Sequence, residues 1–242
     1  APDASALHRI YFAPNHVRVW SREAYARAGA HDAALGVVDD YDLLCRTWLA
    51  GVAFHHIPEC LYLYRLLPDG RNTYVQRSAE IGKGQEEVSN RYLYALIEEW
   101  CRRQDLAMID LGGAGGCPPG FRRLDLRGGS AAGGLRQGIP LPDNAAGCIR
   151  AYDFLEHVPP CRESGCDHGA DGDRGKCVVG MMNEIYRVLA PGGWLAARVP
   201  SSDGRGAFQD PTNLSFWNLN SFWYYTQRQH AQTVPGLKCR FQ

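Results

Sequence analysis

The chain has 242 residues, 45% hydrophobic and 21% charged, the proportions of an ordinary globular protein rather than a disordered or fibrous one. Lys and Arg number 26, as do Asp and Glu, so the net charge is zero and no basic excess favours a nucleic-acid partner. No stretch reaches the roughly 18 uninterrupted apolar residues of a membrane-spanning helix.

The opening "APDASALHRIYF" has no basic start followed by an apolar run, so it does not read as a signal peptide. It begins with Ala, which suggests a processed chain or a fragment. The nine cysteines are scattered and odd in number, unlike a secreted disulfide framework. Reduced thiols in a cytosol are the simpler reading, and a cytoplasmic location follows from it.

Residues 1–77 are rich in aromatics and alternate short apolar runs with polar turns. In residues 78–104 the sequence "GQEEVSNRYLYALIEEWCRR" spaces Val88, Tyr92, Leu96 and Trp100 four apart, with Leu93 and Ile97 beside them. That pattern is one apolar face of an amphipathic helix. Glu86 and Glu87 near its start and Arg102 and Arg103 at its end suit the helix dipole. It is expected to connect two parts and to pack on the second, residues 105–242.

That second part reads as alternating strands and turns with one helix. "LAMIDLG" (106–112), "FRRLDLR" (121–127), "GCIRAYDFLE" (147–156) and "GWLAARVP" (193–200) are strand candidates. Between the last two, Val178, Met181, Met182, Ile185, Val188 and Leu189 form a helix face, stopped by Pro191-Gly192-Gly193. Strand–helix–strand order predicts an α/β fold with a mostly parallel, Rossmann-like sheet and a right-handed crossover.

Ligands of such sheets bind at the carboxyl ends of the strands. Asp110 and the glycines after it lie at such an end, where absent Cβ atoms let a ligand approach the backbone. Asp125, at the end of the next strand, is placed to accept hydrogen bonds from ribose hydroxyls. Fifteen positions from Asp110 to Asp125 leave no room for a full helix between the strands. A phosphate loop wants a helix N-terminus behind it, so a nucleoside without a pyrophosphate fits better. A glycine-rich turn capped by Asp110 is the alternative.

The ordered set "IDLGGAGG", "GFRRLDL", "IPLPDNAAGCIRAYDFLEHV" and "MNEIYRVLAPGGWLAARVP" resembles the class I S-adenosylmethionine-dependent methyltransferases over residues 105–226. The resemblance implies that Asp110, Gly112, Gly113, Gly115 and Gly116 contact the methionine part of S-adenosylmethionine. It implies that Asp125 holds the ribose, and that Tyr152 and Asp153 line the sulfonium side. The sequence departs from the family at Ala114, where a glycine is expected. It departs again at Arg136 and Gln137, which stand where an acid often precedes the "LP" pair.

Methyl transfer needs alignment above all, and a base only where the acceptor must lose a proton. Asp153, Glu156 and His157 are the base candidates. "SSDGRGAFQDPTNLSFWNLNSFWYYT" (201–226) follows the last strand at the ligand-binding edge and could form an acceptor lid. Asp203, Arg205, Asp210, Asn213, Trp217 and Tyr224 are its candidate contacts, and this mixture suits a small-molecule or glycan acceptor. Asn213 replaces the His of a "DPTH" pattern in related enzymes. The alternative is an aromatic cap packed over the sheet edge.

"CRESGCDHGADGDRGKC" holds Cys161, Cys166, His168 and Cys177, which could close a tetrahedral structural zinc site. Free thiols in a loop are the other reading. Such methyltransferases normally add two antiparallel strands after the fourth, and only "LKCRFQ" at the chain's end remains to supply them, which suggests a sheet cut short.

The stretch "VRVWSREAYARAGAHDAALGVVDDYDLLCRTWLAGVAFHHIPECLYLYR" (17–65) resembles the C-terminal third of family 2 glycosyltransferases of the GT-A fold. By that resemblance residues 1–77 form a small α+β fragment in which "IPECLYLYR" is a closing strand. Asp40 would be the general base, with Asp39 beside it and His16 and Trp20 near the acceptor. The nucleotide-sugar half has no room before residue 17, so sugar transfer by this chain alone is not expected. Three readings stand: a methyltransferase on an unidentified acceptor, a glycosyltransferase fragment of a bifunctional protein, and a non-catalytic module of degenerate methyltransferase fold.

Overall fold

A computed structural model describes residues 17–63, 65, 67, 70–112, 116–124, 137–161 and 174–241. The chain divides into two compact units, Ala1–Arg103 and Gln104–Gln242.

The described elements of the first unit are helices. Helix α1 spans Arg22–Arg27, and its N-cap Ser21 accepts a hydrogen bond from the Ala24 N–H. Helix α2 spans Asp39–Leu49 and opens on Asp39, Asp40 and Asp42, acids that suit the positive end of the helix dipole. Helix α3 is one turn, Thr73–Gln76, and α4 is the long helix Ser78–Gln104. The apolar face read from the sequence of α4 is buried at Val88, Leu96, Ile97 and Trp100, and Cys101 joins it. From α4, the Tyr92 hydroxyl donates to Asp42 at 2.8 Å, Ser89 shares a hydrogen bond with Tyr41, and Arg103 donates to the Trp48 carbonyl. These bonds all run to α2, so the expected connecting helix is a wall of the first unit.

Among the described residues of 57–65, where a closing strand is expected, no strand forms. These residues pair with no strand, and Leu61 and Leu63 are exposed. A strand needs a neighbour to satisfy its N–H and C=O groups, and the described residues of this unit supply none.

The second unit is an α/β structure built on a four-stranded, all-parallel sheet of order β2-β1-β3-β4. The strands are β1 (Ala107–Leu111), β2 (Arg122–Leu124), β3 (Ala146–Tyr152) and β4 (Leu189–Arg198). Helix α5 (Val178–Val188) carries the chain from β3 to β4. It ends at Val188, a little before the Pro-Gly-Gly, and β4 begins at once with a register shift opposite residues 146–148.

Side chains alternate faces along a strand, so the register divides the sheet into two different surfaces. Ile109, Leu111, Ile149 and Ala151 share one face, and they form one core cluster with Met181, Met182, Ile185 and Val188 of α5. The other face carries Asp110, Arg150 and Tyr152 with Ala196 and Arg198.

After β4 come short helices α6 (Gly206–Gln209), α7 (Trp223–Thr226) and α8 (Arg228–Ala231). The tail does not form a strand. Asn183 of α5 holds it instead, its Oδ1 accepting from the Lys238 and Cys239 N–H groups. Among the described residues no helix is long and apolar enough to cross a membrane, and no disulfide joins two of the described cysteines.

Candidate ligand site at the carboxyl edge of the sheet

The strand order places β2 on one side of β1 and β3 on the other, so the chain reverses direction across the sheet between β1 and β3. Open parallel sheets bind ligands in the crevice at the carboxyl ends of the strands flanking such a point.

Asp110 on β1 and Arg150 on β3 stand there in register. Asp110 is 1% exposed, and the Arg150 Nε lies 3.4 Å from its Oδ1. The second oxygen, Oδ2, is buried with no hydrogen-bond partner among the described residues. Burial pushes the Asp110 carboxyl above its ordinary range, and the charges of Arg150 and Arg123 pull it back.

The turn after β1 is shaped by two glycines at φ 84° and 89°, Gly112 and Gly116. A Cβ at Gly112 would meet the Phe154 ring at 3.1 Å, whereas a Cβ at Gly116 would meet none of the described residues within 4 Å. Two arginines pin this turn: Arg123 donates to the Gly112 carbonyl at 3.3 Å and Arg150 to the Gly116 carbonyl at 3.1 Å. Gly113, Gly115 and Asp125, which the sequence places in the same cradle, lie outside the described residues, as does Ala114.

Tyr152 ends β3. The guanidinium carbons of Arg150 and Arg198 lie 4.4 and 4.8 Å from its ring centre. Asp153 follows at φ 48°, and its carboxylate accepts from Arg198 at 2.8 Å. A left-handed Asp is uncommon but accessible. Here its N–H also bonds the Arg198 carbonyl.

One turn further, Glu156 is buried and its Oε2 has no hydrogen-bond partner among the described residues. Burial raises its carboxyl above the ordinary range, and its own backbone N–H and the neighbouring His157 counter that. Its main-chain carbonyl accepts from both Leu214 and Ser215, which ties the 212–217 segment to the end of β3. His157 Nδ1 lies 3.2 Å from the Thr212 carbonyl. A carbonyl can only accept, so that bond puts the hydrogen on Nδ1 and leaves Nε2 as the basic nitrogen.

The structure sorts the acceptor-loop candidates. Trp217 is 3% exposed and packs on Phe222 and Tyr225, with its Nε1 donating to Ser215. It belongs to the core and is not a surface contact, because its indole fills the space beside the sheet edge. Asp203 is exposed and accepts from Ser201 and Asn218. Asp210 accepts from the Thr212 N–H and hydroxyl in a local turn. Arg205 is exposed just before α6, and Asn213 donates to the Ala207 carbonyl. Tyr224 stays partly exposed against His230. An exposed stacked pair that the sequence did not single out, Phe208 and Phe216, lies on the same segment.

Of the zinc candidates, Cys161 is half-buried and Cys177 is the buried residue preceding α5, while Cys166 and His168 lie outside the described residues. No group of three or more His, Cys, Asp or Glu able to hold a metal ion occurs among the described residues. In the first unit, Asp40 is paired with Arg18 and Asp39 lies 3.8 Å from His31. The buried acid of that trio is Asp42, which binds Arg46 at 2.6 Å and the Tyr92 hydroxyl. Trp20 donates its indole N–H to Thr47, and His16 lies outside the described residues.

Sequence reasoning missed Arg150 and Arg198. The signal for Arg150 was present: a lone charge inside the apolar run "GCIRAY" must find a buried partner. Comparison of the chain with protein-family models, with curated proteins and with solved structures found no match.

Proposed function

We propose that the second unit is an S-adenosylmethionine-dependent methyltransferase acting on a small-molecule or glycan acceptor. The observation that carries this reading is the Oδ2 of Asp110, buried with no hydrogen-bond partner among the described residues at the reversal of strand order, beside a turn in which Gly112 and Gly116 hold left-handed backbone. A hydrogen-bond donor such as the ammonium of a methionine moiety would satisfy that oxygen, and none of the described residues lies within 4 Å of where a Gly116 Cβ would stand. The residues present therefore fit the cofactor, which supplies an activated methyl group when bound. The resemblance of "IDLGG", "LEHV" and "EIYRVLAPGGWL" to that family points the same way.

In this reading Asp110 and the Gly112–Gly116 turn hold the methionine part, and Tyr152 walls the sulfonium side. His157 is the base, because its Nδ1 hydrogen is tied to Thr212 and Nε2 is left to take a proton. Asp153 positions Arg198 and is not itself the base, since its carboxylate is held in an ion pair.

Isothermal titration of the whole chain with S-adenosylmethionine and with S-adenosylhomocysteine tests the reading. A saturable heat is expected, together with a rise in melting temperature, since a ligand at 100 times its Kd adds about 2.7 kcal/mol of stability. Neither heat nor thermal shift with both compounds would overturn it. The pairing of Asp110 with Arg150 and of Asp153 with Arg198 favours a second reading, a binding module without transfer. Binding without methylation of any acceptor in a broad panel would select it.

A further inference from the structure

Three arginines gather at the carboxyl edge of the sheet. Arg123, Arg150 and Arg198 converge on it from β2, β3 and β4: two bond the carbonyls of the Gly112–Gly116 turn, and two flank Tyr152. Their carboxylate partners are Asp110, which is buried against Arg150, and Asp153, which holds Arg198. Glu156 stands nearby as a further acid acting on Arg198, its own carboxyl raised above the ordinary range by burial.

Arg198 is the one of the three built to meet a second ligand. Arg150 is 7% exposed and committed to the sheet interior, and Arg123 is committed to the turn. The Arg198 side chain is 61% exposed at the last position of β4, where the acceptor-loop segment begins. Its guanidinium lies over the Tyr152 ring and contacts one carboxylate oxygen of Asp153, so its planar fork is oriented before any ligand arrives. The site then resembles a clamp for a carboxylate or a phosphate, which such a fork grips in a bidentate fashion.

We infer that the acceptor of this edge carries an anionic oxygen group, a carboxylate or a phosphate, bound by Arg198 over the Tyr152 ring, with Asp153 as the intramolecular competitor that holds Arg198 in place. This rests on the proposed methyltransferase reading for the word acceptor, but the anion site stands on its own contacts.

The test is titration of the whole chain with glucose 6-phosphate, inorganic phosphate, glucuronate and, as the neutral control, glucose. S-adenosylhomocysteine is titrated separately into the same variants. One or both anionic sugars should bind at least tenfold more tightly than glucose, and which one separates a phosphate clamp from a carboxylate clamp. Arg198→Gln should weaken that binding tenfold or more, and Arg198→Lys should restore part of it as a point charge without the fork. Asp153→Asn should tighten it severalfold, because the competing charge is gone while Asn tolerates the left-handed backbone at position 153. A merely structural Asp153–Arg198 pair predicts the opposite, loss in both variants. Equal affinity for anionic and neutral probes, or anion binding untouched by Arg198→Gln, overturns the inference. If anions bind as stated and S-adenosylhomocysteine does not, the methyltransferase reading fails and the anion site remains; the reverse removes the anion site alone.

Discussion

Arg150 stands opposite Asp110 across the β1–β3 pair, with its Nε 3.4 Å from the Asp110 Oδ1 and both side chains buried. Charges taken out of water in this way are held in place mainly by each other. Removing one leaves the other stranded, at a cost of about 3–5 kcal/mol, whereas replacing both with neutral groups of similar shape is close to neutral. Arg150→Met should therefore destabilise the second unit strongly, and adding Asp110→Asn to it should recover most of the loss. Urea denaturation of the two variants and the parent measures this. Equal losses in the single and the double variant would mean that the pair is not coupled.

The two glycines of the turn should respond differently to Ala. At Gly112 the left-handed backbone costs about 1–2 kcal/mol, and the added Cβ also presses on Phe154 at 3.1 Å. At Gly116 the backbone cost is the one expected, because none of the described residues lies within 4 Å of the added Cβ. Gly116→Ala should thus fold with a loss of about 1–2 kcal/mol yet weaken S-adenosylhomocysteine binding at least tenfold, since its methyl group enters the proposed cradle. Gly112→Ala should lose more stability than Gly116→Ala in the same melts. A Gly116→Ala variant that binds as the parent does would place the ligand elsewhere.

How far the sequence could be read depended on whether a feature was local. The four strands and α5 were legible because their signals lie within a few residues: apolar runs of strand length, and a helix face ending at Val188 before Pro191. The two-faced character of the sheet was not. It depends on which residue of β1 sits beside which residue of β3, and the pairing of Asp110 with Arg150 is fixed only when the strands align. Trp217 was misplaced for a related reason. Its neighbours are polar, but the bond from its indole to Ser215 and the stacking on Tyr225 turn it inwards. The strand expected at 57–65 rested on a resemblance to a larger fold, and a strand cannot form on composition alone without a neighbour to pair with.

The acidic start of α2 shows the same limit, and it yields a sharp contrast. Asp40 is paired with Arg18 and its side chain is 44% exposed, so Asp40→Asn should cost far less than loss of the buried Asp42, about 1 kcal/mol. Asp42 is 1% exposed and satisfies Arg46 and Tyr92. Asp42→Ala should cost about 3–5 kcal/mol by leaving the Arg46 charge without its buried partner. Thermal unfolding of the two variants measures the difference. Comparable losses would contradict the assignment of Asp42 as the anchor between α2 and α4.

The buried carboxyl of Glu156 should be visible in the pH dependence of stability. Burial raises it above the ordinary value of 4.5, so the folded state keeps a proton at pH values where the unfolded chain has released it. Between those two values the folded state binds more protons, and stability must fall as pH rises. Asp110, also raised by burial, acts in the same direction. Glu99 acts oppositely: its hydrogen bonds to Arg102 and then Arg103 hold its carboxyl down at about 2, so its contribution is present above the ordinary Glu range and is lost as pH falls towards 2. The window for Glu156 therefore opens at 4.5 and extends upwards, clear of the Glu99 transition. Glu156→Gln cannot titrate, so its stability should vary less than the parent's as pH is lowered from 8 to 5, and the two curves should converge at the acid end of that range. Chemical denaturation at unit pH steps gives both curves. Parallel curves across the range would show that the Glu156 carboxyl is ionised alike in the folded and unfolded chain, and that its buried Oε2 meets a compensating donor.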